Sequence, residues 1–219
     1  MNTQDNFILD TIDPEIGERI DQGRRNLFAR YAAPSVLLAS APLVLAAAST
    51  EAFGASLPKD VVDVLNFALT LEYLEAAFYK AGNTASGLIP KEYRALFRTI
   101  GAHETAHVLL LKGALGSAAV KAPKVDFTAG GKYADVFTNF ETFATLSATF
   151  EDLGVAAYKG QAGNLLGTPV LTTALQIHSV EARHAAAVRP IIGKPSSDTA
   201  FDKPRTKKQV LAAATPFLS

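Results

Sequence analysis

Residues 71–80 read LEYLEAAFYK, and residues 150–159 read FEDLGVAAYK. Superposed, Glu72 meets Glu151, Tyr79 meets Tyr158 and Lys80 meets Lys159. Carried downstream, the same alignment sets Glu104 against Glu181 and His107 against His184, so each half ends in a Glu-x-x-His. The chain from Glu72 to Glu104 is nearly as long as the chain from Glu151 to Glu181. Any two Ala-rich helices can be aligned after a fashion, but chance does not return Glu, Tyr, Glu and His at matched spacing. The sequence reads as one helical hairpin written twice.

Punctuation around the repeat gives four helices. Ser56-Leu57-Pro58 is a start signal, with a hydroxyl followed by Pro in the first turn. Val61, Val64, Leu65, Ala68 and Leu69 follow at helical spacing, and Gly82 is the expected stop. Pro90 opens a second helix that runs to Gly113–Gly116. A third is expected from about Ala134 to Gly160, and a fourth from Thr168-Pro169 to Pro190. The stretch SAAVKAPKVDFTAGGKY between the second and third is Pro- and Gly-punctuated and reads as a long connection. Extended chain covers roughly 3.3 Å per residue, enough to cross a bundle lengthwise. The expected fold is all-α: a four-helix bundle of two antiparallel hairpins joined by one crossover. It occupies residues 56–193, and residues 194–219 form a tail with a short helix over RTKKQVLAAA.

The four glutamates fall at one level. At 1.5 Å per residue, Glu72 lies about 15 Å before Gly82 and Glu104 about 21 Å after Pro90. Glu151 and Glu181 lie about 14 and 18 Å from their own turns. Four buried carboxylates without partners would be very costly or would become protonated. Two divalent metals would neutralise them, with one imidazole at each outer position. One Glu from each of two helices plus a Glu-x-x-His from each of the other two is a known dinuclear donor set. Glu72, Glu104, His107, Glu151, Glu181 and His184 are therefore the candidate metal ligands.

This pattern resembles the ferritin-like superfamily, with the ligand set of bacterioferritins and rubrerythrins. LNFALTLEYLEAAFY and KKQVLAAATPFL carry a narrower resemblance to exported, desiccation-related ferritin-like proteins. The likeness covers roughly residues 58–218. It implies two metal ions, iron first with manganese as the alternative. Glu104 and Glu181 would bridge them, and Glu72 and Glu151 would be terminal. Tyr79 and Tyr158 would donate hydrogen bonds near the reacting centre. The activity implied is oxidation of ferrous iron or reduction of peroxide, with dioxygen or peroxide as the partner. A non-catalytic desiccation protein with a structural metal site is the second reading, and a manganese catalase-like activity a third. Homo-oligomerisation stays open, but no shell-forming surface is evident for an iron-storage cage. In bacterioferritins an Asp commonly precedes the Glu of each Glu-x-x-His and orients the ligand His. Here His103 and Val180 hold those positions, and Asp152 and Glu75 are the substitutes on offer.

Other polar residues have plainer readings. Glu75 aligns with Gly154, so symmetry leaves it near the site or on the surface. His103 reads as a packed or helix-interface histidine. His178 shares the side of the helix that carries Glu181. Phe137, Phe140, Phe143 and Phe150 read as core.

The chain has no Cys, so any metal must be held by imidazole and carboxylate. Formal net charge is zero and no basic patch stands out, which argues against nucleic acid as a partner. Residues 1–55 read as a separate leader. Arg24-Arg25 precede YAAPSVLLASAPLVLAAAST, uncharged from Tyr31 to Thr50. This resembles a twin-arginine export signal, although Gly23 stands where Ser or Thr is usual. Small residues offer cleavage after Ala48 or near Gly54. The implied partner is the twin-arginine export machinery, and the implied location is periplasmic or otherwise exported. The alternative is a membrane anchor through residues 31–50, against which Pro34 and Pro42 weigh.

Overall fold

The computed structural model describes residues 57–218. The leader and its alternative as an anchor lie outside the described residues. Among the described residues, no helix is long and apolar enough to cross a membrane.

Among the described residues there are four long α-helices and one short one, joined by 3-10 turns and irregular chain: α1 Lys59–Thr84, α2 Arg94–Leu115, α3 Phe140–Gln161, α4 Val170–Val188 and α5 Lys207–Ala214. α1 packs chiefly on α2, and α3 chiefly on α4, which makes the two hairpins. The crossover is pinned at its start, where the Asn66 side chain donates to the Ala118 carbonyl and accepts from the Val120 amide. It ends against the opposite part of α1, with Phe127 edge-on to Phe78.

Two boundaries differ from expectation. Gly82 does not stop α1, which continues to Thr84. Its missing side chain makes room for Phe143: a Cβ there would lie 2.2 Å from that ring. The third helix begins at Phe140 rather than about Ala134. The Asn139 side chain accepts from the Glu141 and Thr142 amides and is itself held by Asp135. Capping satisfies amides that a helix start leaves unpaired, so the turn wins over helix in the residues before it.

Apolar residues form two clusters. One gathers Phe78, Phe97, Phe143 and Phe150. The other gathers Leu65, Leu69, Leu111, Leu165 and Val170. Along α2 and α4 the buried acidic and imidazole side chains fall between the two.

The tail belongs to the core. α5 starts with a capping box between Thr206 and Gln209. It buries Val210 and Ala214, and Phe217 beyond it packs edge-on against Phe150. Leu218 forms an antiparallel bridge to Val125, tying tail to crossover. The tail lies on α3 where that helix carries small residues: the Arg205 amide donates to the Ala156 carbonyl. A Cβ at Gly160 would lie 1.9 Å from the Arg205 carbonyl oxygen, which is backbone and cannot swing aside. Gly160→Val is therefore expected to lift the tail and cost about 2–3 kcal/mol. Urea unfolding and protease sensitivity of residues 203–218 would check it. An unchanged midpoint with a protected tail would contradict this packing.

Candidate metal centre

The structure brings all six sequence-derived candidates into one buried layer. Glu72, Glu104, Glu151 and Glu181 are fully buried, and His107 and His184 nearly so. Glu72 comes from α1, Glu104 and His107 from α2, Glu151 from α3, and Glu181 and His184 from α4. Glu-x-x-His puts its two side chains on one face of α2 and of α4, because residues three apart lie side by side on a helix.

The donors form two overlapping groups: Glu72, Glu104, His107 and Glu181, and Glu104, Glu151, Glu181 and His184. Within each group one donor atom per residue lies within 4.8 Å of the others. His107 Nδ1 sits 3.2 Å from Glu72 Oε2, 3.1 Å from Glu104 Oε2 and 3.0 Å from Glu181 Oε1. His184 Nδ1 sits 2.9 Å from Glu104 Oε1, 3.1 Å from Glu151 Oε2 and 3.9 Å from Glu181 Oε2. Glu104 and Glu181 thus turn one oxygen to each imidazole, while Glu72 and Glu151 serve one side each.

The tyrosines cross over. Tyr158 on α3 donates to Glu72 Oε1 on α1 at 2.5 Å. Tyr79 on α1 donates to Glu151 Oε1 on α3. Each phenol holds the far oxygen of a one-sided glutamate and leaves its other oxygen facing a histidine. Burial, followed by the charge of Glu151 or Glu72 respectively, keeps both phenols well above their ordinary titration range.

The charge in this layer is unbalanced. Burial lifts Glu104 to about 7, and burial plus neighbouring carboxylates hold Glu181 well above the usual range. Burial is the largest influence on Glu72 and acts to raise it, but the charge of His107 together with hydrogen bonds to His107, Glu104 and Tyr158 outweighs it and leaves this group lowered. Both imidazoles are raised against the opposing effect of burial: His107 by the Glu72 charge, and His184, to about 9, by its bonds to Glu104 and Glu151. Without a metal, protons must take up the excess negative charge.

A further carboxylate enlarges that excess. Glu75, one turn after Glu72, is buried among the others. Burial and then the charge of Glu181 hold it well above the usual range. Sequence symmetry left it aside because Gly154 stands opposite. That glycine faces both acids: a Cβ on Gly154 would lie 3.2 Å from Glu181 Oε2, a tight approach, and 3.4 Å from Glu75 Oε1. The i,i+3 spacing from Glu72 was the available signal.

Three other polar residues take definite places. Asp152 does not orient a histidine; Arg189 grips its Oδ1 through two nitrogens at 2.6 and 3.0 Å. His103 is exposed and is a helix-interface histidine, its Nδ1 on α2 lying 2.9 Å from His184 Nε2 on α4. Burial and then the neighbouring His184 lower its affinity for a proton. His178 is half-buried, with Nε2 unbonded among the described residues and 3.9 Å from Asp202. It makes no contact of this kind with the six donors.

The donor set fits a pair of divalent ions. Three carboxylate oxygens crowd each Nδ1, which has one proton to offer at most. Glu104 Oε1 and both oxygens of Glu181 are buried near an imidazole nitrogen, but none accepts a well-directed hydrogen bond among the described residues. Orphaned buried carboxylate oxygens are costly in protein alone, and become ordinary once a cation faces them.

A family model described as a ferritin-like domain matches residues 60–194, the span from α1 through α4. No curated protein matches the chain.

Proposed function

Because the chain belongs to the ferritin-like domain family, we propose that it is a dinuclear iron oxidase that consumes peroxide or dioxygen. The observation that carries this reading is the sharing of Glu104 and Glu181 between two imidazoles, with three of their oxygens accepting no well-directed hydrogen bond among the described residues. Imidazole and carboxylate donors suit iron, manganese and zinc alike. Iron is favoured for its redox couple. Two ferrous ions supply the two electrons that, with two protons, turn one hydrogen peroxide into two waters. External ferrous iron is the reductant that closes the cycle.

The protein's own part is binding, orientation and protons. Glu104 and Glu181 would lie between the two positions, and Glu72 with His107 and Glu151 with His184 would complete each side. Tyr79 and Tyr158 fix the outer glutamates by their hydroxyls, so both carboxylates are oriented before a ligand arrives. Glu75, its proton affinity raised by burial and then by the charge of Glu181, would be the carboxyl of this layer placed to carry a proton. Phe78, Phe97 and Phe143 pack around the Tyr79 ring and keep water from that side.

Anaerobic protein loaded with two Fe2+ per chain, then mixed with peroxide, tests the reading. One peroxide should disappear per two ferrous ions oxidised, faster than with free iron. A loaded protein no faster than free iron would leave a metal-holding bundle without this activity.

We further propose that the enzyme works outside the cytoplasm in protection against oxidants. Arg24-Arg25 and the uncharged stretch 31–50 support export through the twin-arginine route, which carries folded proteins and so allows loading before transport. Mass spectrometry of exported protein should find residues up to about 48–55 removed. An intact N-terminus on membrane-extracted protein would favour an anchor.

A further inference from the structure

We infer that His103 is the positioning residue of His184, and that its presence on one side only makes the two metal positions unequal. The inference rests on the dinuclear reading above and adds a distinction within it.

His103 stands on α2 immediately before Glu104 and reaches across to α4. Its Nδ1 lies 2.9 Å from His184 Nε2, and the two rings lie edge to edge, nearly coplanar at 17° with centroids 5.2 Å apart, which aligns the nitrogens for a hydrogen bond. His184 turns its other nitrogen, Nδ1, to Glu104 and Glu151. Nε2 is therefore the outward nitrogen of this imidazole. The matching position on the other side is Val180, before Glu181, which has no polar side-chain atom. His107 Nε2 makes no hydrogen bond among the described residues. The repeat is symmetric in its donors and asymmetric in what stands behind them.

A neutral imidazole that offers Nδ1 to a metal carries its proton on Nε2. That N–H needs an acceptor, and His103 Nδ1 is placed to be one. His103 then carries its own proton on Nε2, at the exposed end of the ring. One hydrogen bond fixes the tautomer of both rings and the rotation of His184. Partners of this kind are worth roughly 10–100-fold in metal affinity. A histidine also does the work without adding charge. Five buried carboxylates already face two imidazoles, and an acidic partner would add a sixth negative group beside them. On the other side, the outer nitrogen of His107 has no side-chain partner among the described residues, and its ring is oriented only from the Nδ1 side and by packing.

The test is titration of the metal-free full chain with Co2+, followed by the absorption of the bound ion. His103→Phe keeps a ring beside His184 but removes the acceptor. His103→Asn restores an acceptor oxygen near the place of Nδ1. In the wild type, two binding steps are expected. His103→Phe should weaken one of them by roughly 10–100-fold and leave the other in place. His103→Asn should recover most of that loss, and neither change should shift the melting temperature of the metal-free protein. Unchanged steps in His103→Phe, an equal weakening of both, or no recovery with Asn would overturn the inference while leaving the dinuclear reading standing. A wild type that binds no Co2+ would overturn the dinuclear reading itself.

Discussion

Loading the metal-free protein with Co2+ or Fe2+ is expected to raise its melting temperature by about 8–16 °C at a free metal concentration a thousandfold above Kd. That concentration stabilises the state that binds by about 4 kcal/mol. For a domain of this size each kcal/mol is worth about 2–4 °C. The effect is large because the metal-free site is unsatisfied, with Glu104 Oε1 and both Glu181 oxygens accepting no well-directed hydrogen bond among the described residues. His107→Ala and His184→Ala should each lose most of the gain, since each leaves one position with carboxylates only. Calorimetry with and without metal would check this, with metal content per chain measured on the same samples. A full gain in both alanine variants would mean that the ions bind elsewhere.

The metal-free protein is expected to lose stability as pH rises from about 5 to about 9, and the loaded protein to do the reverse. Glu104 titrates at about 7 in the folded state against an ordinary 4.5. The folded chain therefore binds more protons than the unfolded one across that interval, and stability falls through it. Glu75 and Glu181, also raised, act in the same direction. His184 titrates at about 9 against 6.5, so its contribution is present below the lower value and lost through the higher. Glu104 and His184 each correspond to a change on the order of 3 kcal/mol, and because they touch, the two do not simply add. Glu72 is lowered and pulls the other way, but only at more acidic pH. Metal displaces these protons, so its binding strengthens as pH rises. Urea unfolding at pH 5, 7 and 9, once with chelator and once with Co2+, reads both slopes. A metal-free protein whose stability is flat or rising over this range would contradict the charge balance of the site.

The helical repeat was legible because its signals are local and come in pairs. Glu72 with Glu151, Tyr79 with Tyr158 and the two Glu-x-x-His motifs announce hairpins, level and facing. What was hidden depends on contacts between helices. Glu75 packs beside Gly154, on another helix; a repeat alignment reads that pairing as a mismatch and drops it. His103 reaches His184 across α2 and α4, and no spacing along one helix encodes that reach. Gly82 reads as a stop until the Phe143 ring is seen to occupy its side-chain space. Asp152 faces Arg189 from the end of α4, so its offered role disappears into an ion pair. The Asn139 cap, in contrast, was present in the sequence as Asn-Phe-Glu-Thr, and the start of α3 could have been set there.

The most direct measurement is anomalous X-ray scattering from crystals of the protein soaked in Fe2+ or Co2+. Two peaks per chain are expected about 3.5–4 Å apart. Glu104 and Glu181 should lie between them, His107 Nδ1 should bind one ion, and His184 Nδ1 the other. A single peak, or peaks away from these six side chains in a fully loaded crystal, would contradict a dinuclear centre.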